Sequence, residues 1–140
     1  MKKLIPLIAS LLFGQAYVAT AYAGDFVVIV NKGNAAAVDK ALVHKIYVGD
    51  AKSWGEGTAV APADLPDENP VRASFSNEVL GKSVSNMKAL WAQNVFSGKA
   101  VPPKQLGSDD DVKKFVSANK GGIGYIKPSS LDDSVKAVIK

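Results

Sequence analysis

The chain has 140 residues, 47% of them hydrophobic, and carries 17 basic against 13 acidic side chains, for a net charge of +4. This length suits one domain. The absence of cysteine excludes disulfides, thiol nucleophiles and cysteine-ligated zinc, and the single histidine leaves no ordinary histidine-based metal site.

Residues 1–23 have the pattern of a secretory signal peptide. Two lysines precede an apolar run from Leu4 to Phe13, and Ala21-Tyr22-Ala23 is a small-x-small cleavage site. The competing interpretation is a transmembrane anchor, but the run is shorter than the roughly 20 apolar residues of a spanning helix. We predict cleavage after Ala23, export to a bacterial periplasm, and one mature domain over residues 24–140 without a membrane anchor.

The mature chain would be almost neutral. Without Lys2 and Lys3, the 17 basic residues fall to 15 against 13 acidic ones, so the net charge is near +2. This balance gives no electrostatic reason to expect nucleic acid as a partner. Without disulfides, stability must come from the core, and a chain of this size can bury enough apolar surface for that.

The first part of the mature chain predicts a buried strand followed by a helix. Phe26–Val30 is a continuous apolar run, as in strands covered on both faces. Asp39 is a plausible N-cap, and apolar residues then recur at helical spacing until Gly49. His44 falls on the polar side of this helix, where we expect it to be solvated.

A loop and a second strand come next. Trp54 lies in a polar loop, where we expect it to cover the edge of the core rather than bind a ligand. Thr58–Pro62 predicts a short strand that its proline ends or confines to an edge of the sheet. Asp64–Glu68 is then an acidic turn.

Residues 69–98 predict two helices joined by a glycine. Asn69 is a good N-cap and Pro70 suits the first helical position, and the first helix continues to Gly81. Ser83 starts the second helix, which Gly98 ends. One apolar face of the second helix comprises Val84, Met87, Leu90, Trp91 and Val95. We expect the other elements to pack on this helix pair.

The last part of the chain predicts a connector, a helix and two strands. Lys99–Gln105 should be extended, and Ser108 should cap a helix whose first turn is Asp109–Asp111. Strands are predicted for Ile123–Ile126 and Val135–Ile139. The order β-α-β-α-α-α-β-β favours one α/β domain with a mixed sheet flanked by helices.

The residues capable of chemistry favour binding over catalysis. No serine, histidine and carboxylate pattern and no metal-loop spacing is present, so we predict no enzyme, no cofactor and no metal site. The start of the helix at Pro70, with Arg72 one turn away, combines backbone donors with a guanidinium, which suits phosphate or sulfate. Alternatively, Asp67 and Glu68 satisfy the helix dipole or pair with Arg72.

Several segments together resemble the PstS-like phosphate ABC transporter substrate-binding protein family, which has the type 2 periplasmic binding protein fold. The matching segments, in order along the chain, are Val28–Asn31, Ile46–Asp50 with Ser53-Trp54, Ala61-Pro62, Phe75 with Leu80, Trp91 with Val95–Lys99, Pro102-Pro103, and Gly122–Ile126. The resemblance implies an α/β fold, as a single three-layer lobe with a mixed sheet flanked by helices.

The resemblance also implies a function and a site. Full members have two lobes that close on phosphate, whereas this chain has residues for about one, and acids, a proline and a valine replace the family's Ser-Gly-Thr stretch. Candidate anion-binding residues are therefore Asn69, Val71 and Arg72. The implied partners are phosphate or another small oxyanion, and an ABC permease or other envelope protein. The alternative is a protein-interaction module without a ligand, whose binding face lies around Trp54, Asp67 and Arg72.

Overall fold

The computed structural model describes residues 25–55 and 57–139. The signal peptide and cleavage site predicted for residues 1–23 lie outside the described residues. The elements, in chain order, are β1 (Val27–Val30), α1 (Lys40–Tyr47), β2 (Ala61–Asp64), α2 (Pro70–Phe75), a π-helical segment (Ser76–Leu80), α3 (Val84–Phe96), β3 (Lys104–Gln105), α4 (Asp109–Ala118), β4 (Gly122–Ile126), a 3₁₀ turn (Pro128–Ser130) and β5 (Lys136–Ile139).

The five strands form one mixed sheet in the order β3-β2-β4-β1-β5. β2 is parallel to both of its neighbours, whereas β1 is antiparallel to β4 and to β5. All four side chains of β1 are buried, as expected for a strand covered on both faces. The predicted mixed α/β sheet is confirmed.

β4 shows how the helices cover the two faces of the sheet. A Cβ on Gly124 would lie 2.5 Å from Cγ1 of Val112, so this side of β4 packs against α4. The next residue, Tyr125, points to the opposite face because side chains alternate along a strand. Its ring stacks on Phe75 at 4.0 Å between centroids, with the planes 4° apart. The sheet is therefore the middle layer of three.

The core is centred on the sheet and not on the predicted helix pair. Around the Phe75–Tyr125 stack, Phe26 and Tyr47 pack edge-on against Phe75 at 5.6 and 4.9 Å. In α3, only Met87 and Asn94 are buried. The expectation that the other elements pack on the two helices is wrong for α3, because α3 buries only these two side chains, whereas every residue of β1 and β4 is buried.

The helix boundaries predicted from capping residues are confirmed. Asp39, Asn69, Ser83 and Ser108 each accept a hydrogen bond from a backbone N–H in the first turn of the helix that follows. The π-helical segment continues α2 and ends at Gly81, whose φ of +67° is the left-handed conformation that favours glycine. These signals are local, which is why the sequence predicts them well.

The prediction for the second strand is wrong. β2 spans Ala61–Asp64, so it continues past Pro62, and it lies inside the sheet between β3 and β4. Pro62 is tolerated there because it pairs only with Ile123 of β4, whereas β3 pairs with Ala63 and Asp64. Asp64 therefore belongs to the end of a strand and not to an acidic turn.

Candidate functional site

The candidate site lies at one edge of the sheet, which we call the carboxyl edge. Because β2, β3 and β4 are mutually parallel, Asp64, Gln105 and Ile126 at their carboxyl ends meet there. α2 begins at the same edge, directly after β2. In open α/β sheets, ligands bind in the crevice outside the carboxyl ends of the strands.

The predicted site residues all lie at the start of α2, but their polar groups have partners within the chain. Oδ1 of Asn69 accepts from the backbone N–H of Val71 at 2.8 Å, and the Asn69 carbonyl accepts from the N–H of Arg72 at 3.0 Å. Pro70 has no N–H. The Val71 side chain is buried in the core. The first turn of α2 therefore uses its own amides for capping.

Arg72 is held between two carboxylates. Its Nη1 donates to Oδ1 of Asp67 at 2.7 Å and to the carbonyl of Leu65 at 3.0 Å, and its Nε lies 3.5 Å from Oδ1 of Asp64. Only 11% of the Arg72 side chain is exposed. The pairing of Arg72 with an upstream acid, which the sequence left open, is present.

Asp64 is the site residue that sequence reasoning missed. Its side chain is 15% exposed and accepts from the hydroxyl of Tyr125 and from the N–H of Leu65 at 3.0 Å. Burial raises the pKa of Asp64 above its usual value, although the Arg72 charge and these hydrogen bonds act in the opposite direction. An aspartate directly after a short apolar strand was the available signal.

Asp67 connects Arg72 to α3 and β3. It accepts from Nζ of Lys88 at 2.6 Å and from Nε2 of Gln105 at 3.3 Å. The hydrogen bond from Lys88 is the main reason why the pKa of Asp67 lies below its usual value. The carboxyl edge therefore holds two carboxylates and two cations in one connected network, with no net charge.

A cleft of about 630 Å³ opens beside this network. Its charged side comprises Asp64, Asp67, Arg72 and Lys88 together with the neutral Gln105, and its apolar side comprises Trp91, Ala92, Val95, Phe96, Pro102 and Pro103. The charged side can recognise a small polar group of a ligand, whereas the apolar side can cover a larger part of a ligand.

The prediction that Val95 lies on the packed face of α3 is wrong. Val95 is 53% exposed and Phe96 is 90% exposed. Two long-range hydrogen bonds set the rotation of the helix: Nε1 of Trp91 donates to the Tyr47 carbonyl at 2.9 Å, and Nδ2 of Asn94 donates to the Val48 carbonyl at 3.0 Å. Asn94 therefore takes the buried position that an apolar pattern would not predict.

The environments of Trp54 and His44 were also predicted from the sequence. Trp54 is half-buried against the core and its Nε1 donates to the Gly121 carbonyl at 2.9 Å, as expected for a structural residue. His44 is partly buried with Nδ1 3.2 Å from the Val79 carbonyl, so the prediction of a solvated histidine is wrong. The contact arises because the π-helical segment passes beside α1.

The alternative binding face predicted from the sequence is not a single surface. Asp67 and Arg72 lie at the carboxyl edge, but Trp54 contacts Gly121, which precedes the amino end of β4. β2 and β4 are parallel, so Trp54 is at the opposite edge of the sheet. Among residues 25–55 and 57–139, no group of three or more metal-ligating side chains occurs, and no helix has both the length and the hydrophobicity to cross a bilayer.

Solved structures with a similar fold carry the names of proteins of phosphate transport. An ABC-type phosphate transport receptor from Vibrio cholerae matches with a TM-score of 0.64 and 22% identity, over 81% of this chain and 45% of its own. A putative phosphate ABC transporter substrate-binding protein with bound phosphate, from Clostridium perfringens, matches with a TM-score of 0.65 and 24% identity, over 81% and 44%. The fold is PstS-like.

The PstS from Borrelia burgdorferi gives the same result, with a TM-score of 0.61 and 14% identity over 82% of this chain and 46% of its own. The chain thus spans less than half the length of the PstS-like structures that it matches. These structures carry the names of receptors and substrate-binding proteins, not of enzymes. No protein-family model matches the sequence, and a comparison with curated proteins gave no match.

Proposed function

We propose that the protein is an exported periplasmic solute-binding protein, a single-lobe relative of phosphate ABC transporter substrate-binding proteins. Its ligand is a small oxyanion such as phosphate, contacted by Asn69, Val71 and Arg72 at the carboxyl edge. Its protein partner is an ABC permease or another envelope protein. The PstS-like fold supports this assignment, and so does the pattern of residues 1–23.

The observation that carries the proposal is the position of Arg72. Its guanidinium is fixed at the carboxyl edge, beside the cleft, and Lys88 is the second cation that borders the same cleft. A phosphate can accept two parallel hydrogen bonds from a guanidinium, which makes an arginine in this place a suitable contact.

The same geometry predicts weak binding. Asp67 occupies Nη1 of Arg72 at 2.7 Å and Nζ of Lys88 at 2.6 Å, so an oxyanion that binds these two nitrogens competes with this carboxylate. The capped amides of Val71 and Arg72 contribute only if their hydrogen bonds to Asn69 open. Asp67 therefore acts as an internal competitor of the ligand.

Calorimetric titration of phosphate, and separately of sulfate, into protein recovered from the periplasm tests the proposal. Saturating heat that is lost in Arg72→Gln is the expected result. Asp67→Asn should bind phosphate more tightly than the wild type, because it frees Arg72 and Lys88. Asp132→Asn removes the same charge from an ion pair outside the site and is the matched control.

Three outcomes would contradict the solute-binding proposal. These are no heat for either anion with both wild type and Asp67→Asn, unchanged binding in Arg72→Gln, or an equal effect of Asp67→Asn and Asp132→Asn. The mass of the recovered protein tests export separately, because cleavage after Ala23 leaves a chain that starts at Gly24.

A protein-interaction module is the second candidate function. It is favoured by the exposed apolar side chains beside the cleft, Val95 and Phe96 of α3 and Val101 of the following connector. Exposed apolar patches of this kind mark interaction sites in monomeric proteins. The two functions are compatible, because the apolar side chains and the Arg72 network occupy different sides of the cleft.

A further inference from the structure

The most exposed apolar side chains lie together. Among the described residues, the exposed large hydrophobic side chains are Phe96 at 90%, Val101 at 84% and Val95 at 53%. With Pro102 they form one projection at the end of α3, which we call the α3 ridge. Single exposed apolar residues are normal, but a cluster within seven positions of the chain needs an explanation.

The α3 ridge has a cleft on each side. The cleft of about 630 Å³ contains the Arg72 network, and a second cleft of about 600 Å³ is lined by Ile46, Val60, Trp91 and Val101, among others. Trp91, Val95 and Pro102 border both clefts. The same surface therefore offers both a projecting aromatic ring and apolar hollows that could receive one.

Such a surface meets the requirement of a two-fold symmetric interface. In an isologous dimer the same patch contacts itself, so each projection must find its hollow on the identical surface of the other copy. A partner of different sequence needs only a hollow for Phe96. The presence of both parts on one chain favours a second copy as the occupant.

Oppositely charged side chains are also paired beside the ridge. Lys88 pairs with Asp67 beside the first cleft, and Lys99, which lines the second, pairs with Asp50 at 2.7 Å. Their side chains are 42 to 59% exposed, so they can exchange partners across an interface. The first cleft is lined by two carboxylates and two cations, so two copies can meet there without a net like charge. The second cleft is lined by Lys52 and Lys99, of which Lys99 pairs with Asp50.

We infer that the protein forms a two-fold symmetric homodimer through the α3 ridge, with Phe96 of each copy inserted beside Trp91 of the other. Roughly twenty different residues line the ridge and its two clefts, close to the 20–30 per partner of a standard interface. Dimer formation is measured without an anion, so a failure of this inference can be told from a failure of the proposed function.

Sedimentation equilibrium over a range of protein concentrations tests the dimer. Wild-type protein recovered from the periplasm is expected to show twice the monomer mass at high concentration. Phe96→Asp places two carboxylates in the apolar hollows and should give a monomer. Gln93→Asp adds the same charge to the exposed side of α3, outside both clefts, and should leave the dimer intact.

A second variant distinguishes a loss of dimerisation from a loss of folding. Val101→Asp lies in the connector and not in a helix, so it should also give a monomer while circular dichroism matches the wild type. A wild type that is monomeric at every concentration, or a dimer that persists in folded Phe96→Asp and Val101→Asp, overturns the inference. A monomer whose α3 ridge binds another envelope protein would also overturn the inference.

Discussion

The two edges of the sheet hold their polar groups in different ways. At the amino ends of β2 and β4, Nε1 of Trp54 and the N–H of Ala61 both donate to the Gly121 carbonyl, and Nδ2 of Asn31 donates to the carbonyls of Val116 and Asn119. Neutral side chains satisfy backbone groups there. At the carboxyl edge, charged side chains mainly contact one another.

This difference indicates which edge serves the fold and which is available for function. Backbone carbonyls that are buried must be paired, so the contacts at the amino edge are needed for folding. The ionised network of Asp64, Asp67, Arg72 and Lys88 pairs backbone groups only at Leu65, through its carbonyl and its N–H. Ionisable groups arranged at the ligand-binding edge of an α/β sheet are candidates for recognition.

The strongest test of the comparison is Gly121→Ala at the amino edge. A Cβ at this position would lie 1.8 Å from the carbonyl oxygen of Ala59, and backbone on both sides leaves nothing flexible to move. We expect a loss of about 3 kcal/mol or more in the free energy of unfolding, measured by urea denaturation.

Gly107→Ala is the matched control for this change. The nearest atom to its new Cβ is Oδ2 of Asp111, the end of an exposed side chain, at 3.7 Å. Its stability should stay close to that of the wild type. An equally small effect of Gly121→Ala would show that the amino edge is not closed by this backbone contact.

At the carboxyl edge, Arg72→Gln should destabilise the protein less than Gly121→Ala. The substitution leaves Asp64 largely buried without its cation, and we expect a loss of about 1–3 kcal/mol at neutral pH. Lys113→Gln, which removes the cation that pairs with the half-exposed Asp132, is the control and should have a smaller effect.

The pH dependence of Arg72→Gln follows from the raised pKa of Asp64. A carboxyl whose folded pKa exceeds its unfolded value binds a proton more readily in the folded state, so its protonation stabilises the fold and that gain is lost as pH rises through the folded pKa. Removal of Arg72 should raise the pKa further. The variant should therefore recover stability on acidification at a higher pH than the wild type, which NMR titration of Asp64 can follow.

What the sequence could predict depends on the range of the interactions. The four capping residues act on amides within three positions, and they located every long helix. The position of β2 depends on pairing with β4, about 60 residues away, and could not be read from the Thr58–Pro62 pattern. The exposure of Val95 could not be predicted from the sequence either, because the rotation of α3 is fixed by the carbonyls of Tyr47 and Val48.

In the candidate site too, the residues with local interactions were predictable and the residue with a long-range interaction was not. Arg72 and Asn69 were identifiable because a helix N-terminus has a local signature, and Asp67 was a foreseeable partner five positions away. Asp64 was missed because its role depends on Tyr125, 61 positions further along the chain. Only the folded sheet brings the carboxylate, the hydroxyl and the guanidinium together.

Tyr125→Phe tests whether the aromatic core supports the carboxyl edge. The ring remains stacked on Phe75, but the hydroxyl that donates to Asp64 is removed. We expect a loss of about 1 kcal/mol in the free energy of unfolding, less than for Arg72→Gln. The pKa of Asp64 should rise, because a donor to its charged form is lost. An unchanged pKa of Asp64 in this variant would show that the Tyr125 hydroxyl of the core does not influence the site.

The smallest effect is expected for Asp132→Asn, an ion pair that belongs to neither edge. Nζ of Lys113 lies 2.8 Å from Oδ2 of Asp132 and ties α4 to the segment that leads into β5. Hydrogen bonds from Lys113 and Ser134 hold the pKa of Asp132 well below its usual value. Its stabilisation is therefore present above the unfolded pKa of about 3.9 and is lost as pH falls through the folded pKa.

The Asp132 side chain is 53% exposed, which limits what this pair can contribute, since solvent and salt screen its charge. Thermal unfolding of Asp132→Asn should show a slightly lower midpoint at neutral pH and low salt, with the difference from wild type vanishing in strong acid and shrinking at high salt. Arg72→Gln, whose charges are shielded from solvent, should keep most of its defect at high salt. Equal salt sensitivity of the two variants would mean that the carboxyl-edge network is no more than a surface ion pair.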